Sequence, residues 1–282
     1  MNLGVRAHDF GKTTLNDFET FARQISQKGF KSIQLALHKA VEGLKLQPDY
    51  LNPGIANHIR NALEKNNVYT AVLGCYINPV HPDPIVKEMH IRCFKDHIKF
   101  ARDFGASVIG TETGSLNPNC SYNPATYTEE VFNDFIKTIA QLVEEAEKFG
   151  VFVCIEAVAN TNTIDSPERM KRVIDTIKSN NLQVIFDPVN MLDDNELDKQ
   201  DDMMKKSFDL FGDRMMVFHV KDFIIENNKR KRVSAGKGLF NFDLFFNLVK
   251  HAKPYAALLL EDSKPDTFDD AMSYVRSIYN RC

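Results

Sequence analysis

Four ionisable residues each stand at the end of a short apolar run. Val-Phe-Val-Cys-Ile runs into Glu156, Val-Ile-Phe into Asp187, Met-Met-Val-Phe into His219 and Ala-Ala-Leu-Leu-Leu into Glu261. Three carboxylates and an imidazole, brought to one place, suit a divalent cation with open coordination positions. Taken singly, each has a plain structural explanation. A Glu after a strand is commonly a loop carboxylate or a helix cap, and a His in Phe-His-Val is commonly a hydrogen-bonded core residue. Four such residues at equivalent positions in consecutive runs argue for shared metal ligation by Glu156, Asp187, His219 and Glu261.

These residues need elements that aim them at one another. The four runs are rich in Val, Ile and Phe, as strands buried on both faces are. Earlier in the chain, Leu3–His8, Ser32–Ala36, Val68–Tyr76 and Ser107–Glu112 read as four more strands. Helical spacing fills the intervals. Phe18, Phe21, Ala22 and Ile25 share one face before Gly29, and Glu129 to Phe149 is a long helix closed by Gly150. Further helices are expected over 55–66, 85–104, from about 165, over 196–211, 242–251 and 267–279. Eight strands alternating with eight helices, with no linker between them, predict one (β/α)8 TIM barrel domain over residues 1–282. No Gly-rich dinucleotide turn follows the first strand, which argues against a doubly wound open sheet. In a closed barrel the site lies at the C-terminal ends of the strands. His8, His81 and Glu112 then join the four residues at the mouth, as candidate substrate contacts.

Composition narrows the classes. The chain has 282 residues, 43% hydrophobic and 26% charged, with a formal net charge of -3. That balance gives no global basic field for nucleic acid or an anionic membrane surface. The one basic cluster, Lys229-Arg230-Lys231-Arg232, reads as a solvated hairpin tip or loop. The five cysteines are scattered without a C-x-x-C pair, which argues for a reducing compartment. No secretory leader opens this sequence and no apolar run reaches membrane-spanning length. The expectation is a cytoplasmic protein with no membrane partner. A homo-oligomer is compatible with the sequence, but no seam for one stands out.

The motifs together resemble a family. They are Cys-Ile-Glu156, Phe-Asp187-Pro-Val-Asn190, Phe-His219-Val-Lys221-Asp222, Gly236-Lys-Gly238 beside Asn241-Phe242, and Leu-Leu-Leu-Glu261. In order and spacing they are similar to the xylose isomerase-like TIM barrels, the sugar phosphate isomerase/epimerase group. The resemblance covers nearly the whole chain. It implies one divalent metal ion, Mn²⁺ first, with Co²⁺, Mg²⁺ or Zn²⁺ as alternatives, held by Glu156, Asp187, His219 and Glu261. It also implies a small-molecule carbohydrate substrate. Glu156 and Glu261 would act as the acid/base pair, exchanging a proton through a metal-stabilised enediolate.

The chain departs from that pattern in two places. Sugar epimerases of the group commonly carry Asp-x-x-His after the sixth strand, whereas here Asn190 stands where the His would be. They also tend to carry an Arg shortly after the seventh-strand His, whereas here Phe223-Ile224-Ile225 follows Asp222. Asn190 can hydrogen-bond a hydroxyl but cannot shuttle a proton near neutrality. Asn190 and Lys221 are therefore expected as substrate contacts. An inosose isomerase or dehydratase shares the first chemical step and competes with a sugar epimerase. A non-catalytic carbohydrate sensor is a second class, disfavoured because both Glu residues are present. An endonuclease IV-like nuclease needs a richer histidine set and a basic face.

Overall fold

The computed structural model describes residues Met1 to Cys282. Its strands are β1 (Asn2–Arg6), β2 (Ser32–Ala36), β3 (Tyr69–Gly74), β4 (Val108–Glu112), β5 (Phe152–Glu156), β6 (Leu182–Phe186), β7 (Met215–Val220), β8 (Asp222–Glu226), β9 (Lys229–Val233) and β10 (Ala257–Leu260). Eight of them are parallel and close in the order β1-β10-β7-β6-β5-β4-β3-β2, while β8 and β9 form a separate antiparallel hairpin. The fold is the expected (β/α)8 TIM barrel. The long helices are Phe18–Gln27, Pro53–Lys65, Pro84–Phe100, Glu129–Phe149, Pro167–Ile177, Gln200–Phe211, Phe242–Ala252 and Phe268–Arg281. None is long and apolar enough to cross a membrane.

Local chemistry explains the boundaries. Thr128 accepts from the Val131 N–H to start Glu129–Phe149, and Gly150 ends it at φ 62°, in the left-handed region. Asn52, Asp83 and Ser166 cap three other helices, each with Pro at the first turn. The first strand is shorter than expected. Its chain leaves the sheet after Arg6, and His8 falls in the single 3₁₀ turn Ala7–Phe10. Of the two expectations for the basic cluster, hairpin tip or loop, the structure has a hairpin, with the cluster forming strand β9 paired to β8. Asn227 and Asn228 at φ 53° and 57° make its tight turn.

Two apolar layers result. The larger lies between the sheet and the helices, and a smaller one fills the barrel with Val108, Cys154, Ile185, Val217, Ala257 and Leu259 among others. Side chains alternate along a strand, so the residue two places on points the same way. Cys154 thus aims Glu156 inward, Ile185 aims Asp187, Val217 aims His219 and Leu259 aims Glu261. The interior is tight. A Cβ at Gly110 would come within 2.7 Å of Ile185 Cδ1 and 2.8 Å of Val72 Cγ1, so this layer of β4 admits no larger residue.

Candidate functional site

The four strand-end residues meet. His219 Nδ1 is 3.2 Å from Asp187 Oδ2, 3.3 Å from Glu261 Oε1 and 3.4 Å from Glu156 Oε1. All four residues are buried. Glu156, Asp187 and His219 each offer a ligand atom within 4.8 Å of the other two. Glu261 joins them at the same ring nitrogen, Nδ1. The far ring nitrogen, His219 Nε2, lies 2.9 Å from Gln34 Oε1. With a divalent ion bound, an Nε2–H donated to Gln34 would leave the Nδ1 lone pair free for that ion, the usual way a ligating histidine is oriented. Three carboxylate oxygens around one imidazole nitrogen are a donor set that fits a divalent ion.

The electrostatics are those of a cluster built for cations. Burial disfavours a charged His219, but Glu261, Glu156 and Asp187 outweigh it and hold its pKa well above the ordinary value. Burial likewise pushes Asp187 up, yet Lys221 and His219 hold it well below the usual carboxylate range. Glu261 is drawn down to about 2 against its burial, by His219, Lys221 and Arg6. Glu156 has a different neighbour. Its Oε1 accepts from the Asn190 side-chain amide at 2.7 Å, while the Asn190 backbone N–H donates to Asp187 Oδ1 at 2.8 Å. Asn190 therefore ties two members of the set together through the short helix Pro188–Met191, capped by Asp187.

Above the cluster lies a narrow cleft of about 30 Å³, open to solvent and lined by Arg6, His8, Gln34, Lys39, Tyr76, Glu112, Glu156, Asn190, Arg232 and Glu261. Of the expected substrate contacts, His8, Glu112 and Asn190 line it. Burial, then Arg6, lowers His8 to about 4, and its Nδ1 is buried with no partner. Burial, then Glu156, raises Glu112. A wider depression of about 340 Å³ lies between Pro167–Ile177 and Gln200–Phe211, but none of the four clustered residues lines it.

Two expected contacts are placed elsewhere. His81 lies in the turn after β3, where its Nδ1 accepts from the Asp83 N–H at 3.1 Å and its ring stands edge-on to His90. That turn folds back toward the helix it caps, which draws His81 away from the cleft. Lys221 was expected on substrate oxygens, but it is 1% exposed. Its Nζ is 2.6 Å from Asp187 Oδ2 and 2.9 Å from Glu261 Oε2. Strand alternation points it inward beside His219, and the two carboxylates hold it there.

Sequence reasoning missed Gln34, Arg6, Tyr76 and Lys39. Gln34 is the one long polar side chain in the apolar run of β2, and that exception was a readable signal. It also bonds the Tyr76 hydroxyl. Arg6 reaches Asp9, Asp262 and Glu261 at 2.9, 3.1 and 3.4 Å. Lys39 stands 4.4 Å over the Tyr76 ring. The hairpin adds two residues. Arg232 lines the cleft, and Arg230 reaches the carbonyls of Val189, Asn190 and Leu192. The basic cluster expected in solvent thus turns Arg230 inward, while Arg232, two residues on along the same face of β9, stays 53% exposed at the rim of the cleft.

Known proteins share this architecture. A D-tagatose 3-epimerase-like protein superposes with TM-score 0.78 at 18% identity, covering 100% of this chain and 99% of that one. A D-psicose 3-epimerase from Clostridium cellulolyticum H10, solved with D-tagatose, gives 0.73 at 13% identity, covering 99% of each chain. The IolI protein, solved with a bound zinc atom, gives 0.72 at 15%, covering 100% and 99%. In sequence, an uncharacterised protein of Methanocaldococcus jannaschii is 24% identical over 142 residues, 49% of this chain and 47% of that relative. The match thus spans about half the length of the curated relative. The model of the xylose isomerase-like TIM barrel family matches residues 22–278, and with that extent of match the chain belongs to this family.

Proposed function

We propose that this protein is a divalent-metal-dependent isomerase or epimerase acting on a small sugar or sugar-like polyol ketone. An inosose isomerase or dehydratase is the nearest variant of the same chemistry. One observation carries the reading: three carboxylates from β5, β6 and β10 converge on His219 Nδ1 at 3.2–3.4 Å beneath a polar cleft. Glu156, Asp187, His219 and Glu261 would hold the ion, manganese being the first choice to test. When bound, the ion supplies Lewis-acid stabilisation of the charge that develops on a deprotonated hydroxy ketone.

The chain's own residues supply the rest. Glu156 and Glu261 both line the cleft, from strands separated in the barrel by β6 and β7. They therefore face a small substrate from two sides. One removes the proton beside the carbonyl and the other returns a proton, which inverts the carbon or moves the carbonyl. Asn190 orients Glu156 by its hydrogen bond, and Lys221 and Arg6 fix Glu261 by charge. His8 and Glu112, which line the cleft, would bond substrate hydroxyls. The structural neighbours solved with D-tagatose and with zinc support both the substrate class and the metal.

The test is divalent metal content of the purified protein, with Glu156→Gln and His219→Ala beside it. A stoichiometric ion, lost in the variants, is expected, together with solvent deuterium entering a ketose or inosose incubated in D₂O with Mn²⁺. Protein that takes up no divalent ion under any loading condition would overturn the reading.

A further inference from the structure

The same carboxylates that suit a divalent ion already hold a cation that belongs to the chain. Lys221 Nζ lies 2.6 Å from Asp187 Oδ2, 2.9 Å from Glu261 Oε2 and 3.8 Å from Asp262 Oδ2. Asp187 Oδ2 is the contested atom, for it is also the oxygen 3.2 Å from His219 Nδ1. Its partner Oδ1 is turned the other way, where it accepts the Asn190 N–H that starts Pro188–Met191. A divalent ion ligated by Asp187 through Oδ2 would leave two cations sharing one buried oxygen, where repulsion is poorly screened. Glu261 is less constrained. It turns Oε1 to His219 and Oε2 to Lys221 and Arg6, so it can serve both cations at once.

From this geometry we infer that Lys221 is a resident counter-ion that competes with the divalent metal. With no ion bound, its ammonium neutralises and holds together Asp187 and Glu261. Loading the ion displaces Nζ from Asp187 Oδ2, so metal uptake and movement of Lys221 are one event. The inference rests on the metal-binding reading above and adds a consequence for it: affinity is deliberately limited and the ion is exchangeable. Nothing in it depends on which sugar is turned over.

Two measurements test it. The first is Mn²⁺ affinity by calorimetry for the wild-type protein, Lys221→Met and Lys221→Gln. Both variants are expected to bind Mn²⁺ at least about tenfold more tightly, since they lose a charged competitor. The second uses the wild-type protein alone, so it stands even if the variants fail to fold. The side-chain ¹⁵Nζ resonance of Lys221, followed by NMR on ¹⁵N-lysine-labelled protein, should shift when Mg²⁺ is added, because Asp187 Oδ2 is no longer its partner. Lys231, 54% exposed, is the internal control that should not change. Equal or weaker Mn²⁺ binding by the variants overturns the inference, and so does a Lys221 resonance that ignores the ion. Failure of the wild-type protein to bind any divalent ion is a different result, and it sinks the functional reading together with this one.

Discussion

Asn190 and Glu156 are joined by a 2.7 Å hydrogen bond from the amide of one to a carboxylate oxygen of the other, inside the barrel mouth. The amide is also anchored from behind, because its own backbone N–H is fixed on Asp187. Truncation of Asn190 to Ala is expected to leave Glu156 free to turn away from the cluster. The expected cost is a 10–100-fold loss of activity or metal affinity, the usual range for a residue that orients a ligand. Asn190→Asp should be worse than Ala, since it sets a second carboxylate against Glu156. Equal activity of Ala and Asp variants would refute the orienting role.

Gln34 does for His219 what Asn190 does for Glu156. Its Oε1 is the acceptor 2.9 Å from His219 Nε2. Gln34→Leu keeps approximate volume and removes that acceptor. Metal affinity, measured by competition with a coloured chelator, should fall roughly 10–100-fold. The fold should survive, because the substitution adds no buried charge. Unchanged affinity would mean that packing alone orients the ring.

Asp222 is buried and accepts four backbone N–H groups, from Phe223, Gly236, Gly238 and Phe240, at 2.8, 3.1, 2.8 and 2.9 Å. It therefore organises the loop after the hairpin. Gly238 must be glycine for this, since a Cβ there would meet Phe223 O at 2.1 Å. Asp222→Asn turns an NH₂ group toward donors it cannot accept from. Urea unfolding should show a loss of roughly 2–3 kcal/mol, the range for hydrogen bonds to a charged group. A loss near zero would show that the loop is held by other contacts.

Acid should weaken the fold through His97. It is buried, its Nδ1–H donates to Cys93 O at 2.8 Å, and its Nε2 has no partner. Burial lowers its pKa from 6.5 to about 4. Because the folded value is depressed, the unfolded chain binds the proton first as pH falls. Stability is thus full above the unfolded pKa and declines from about pH 6.5 toward 4, by roughly 3 kcal/mol in all. Unfolding curves of wild type and His97→Asn across that window should converge in acid. Parallel curves would exclude His97 as the source.

The meeting of Glu156, Asp187, His219 and Glu261 was legible because period-two alternation and strand ends are both written in the sequence. A run such as Val-Phe-Val-Cys-Ile fixes which way Glu156 points once the barrel closes. Gln34 was not legible in the same way. Its partner His219 is 185 positions away, and only the closing of β2 toward β7 across the barrel brings them together. Lys221 was half legible. Its side of the strand follows from His219, but its partners depend on how far Asp187 and Glu261 reach. The position of His81, which is not among the residues lining the cleft, was not legible because a Pro-rich turn sets the direction of its side chains through local hydrogen bonds rather than through periodicity. Arg230 was misread because a charge run says nothing about which carbonyl ends lie within reach.

The hairpin β8–β9 carries two tasks on one face. Arg230 fastens the carbonyls that follow Asp187, and two residues on, Arg232 borders the cleft. A shift of one residue in that strand would turn the Arg230 guanidinium away from those carbonyls. The rim of the cleft and the fastening of the Asp187 loop are therefore carried by one register. A point substitution at Arg232 alters the rim and leaves the fastening in place, whereas insertions or deletions in β9 would unfasten the Asp187 loop as well.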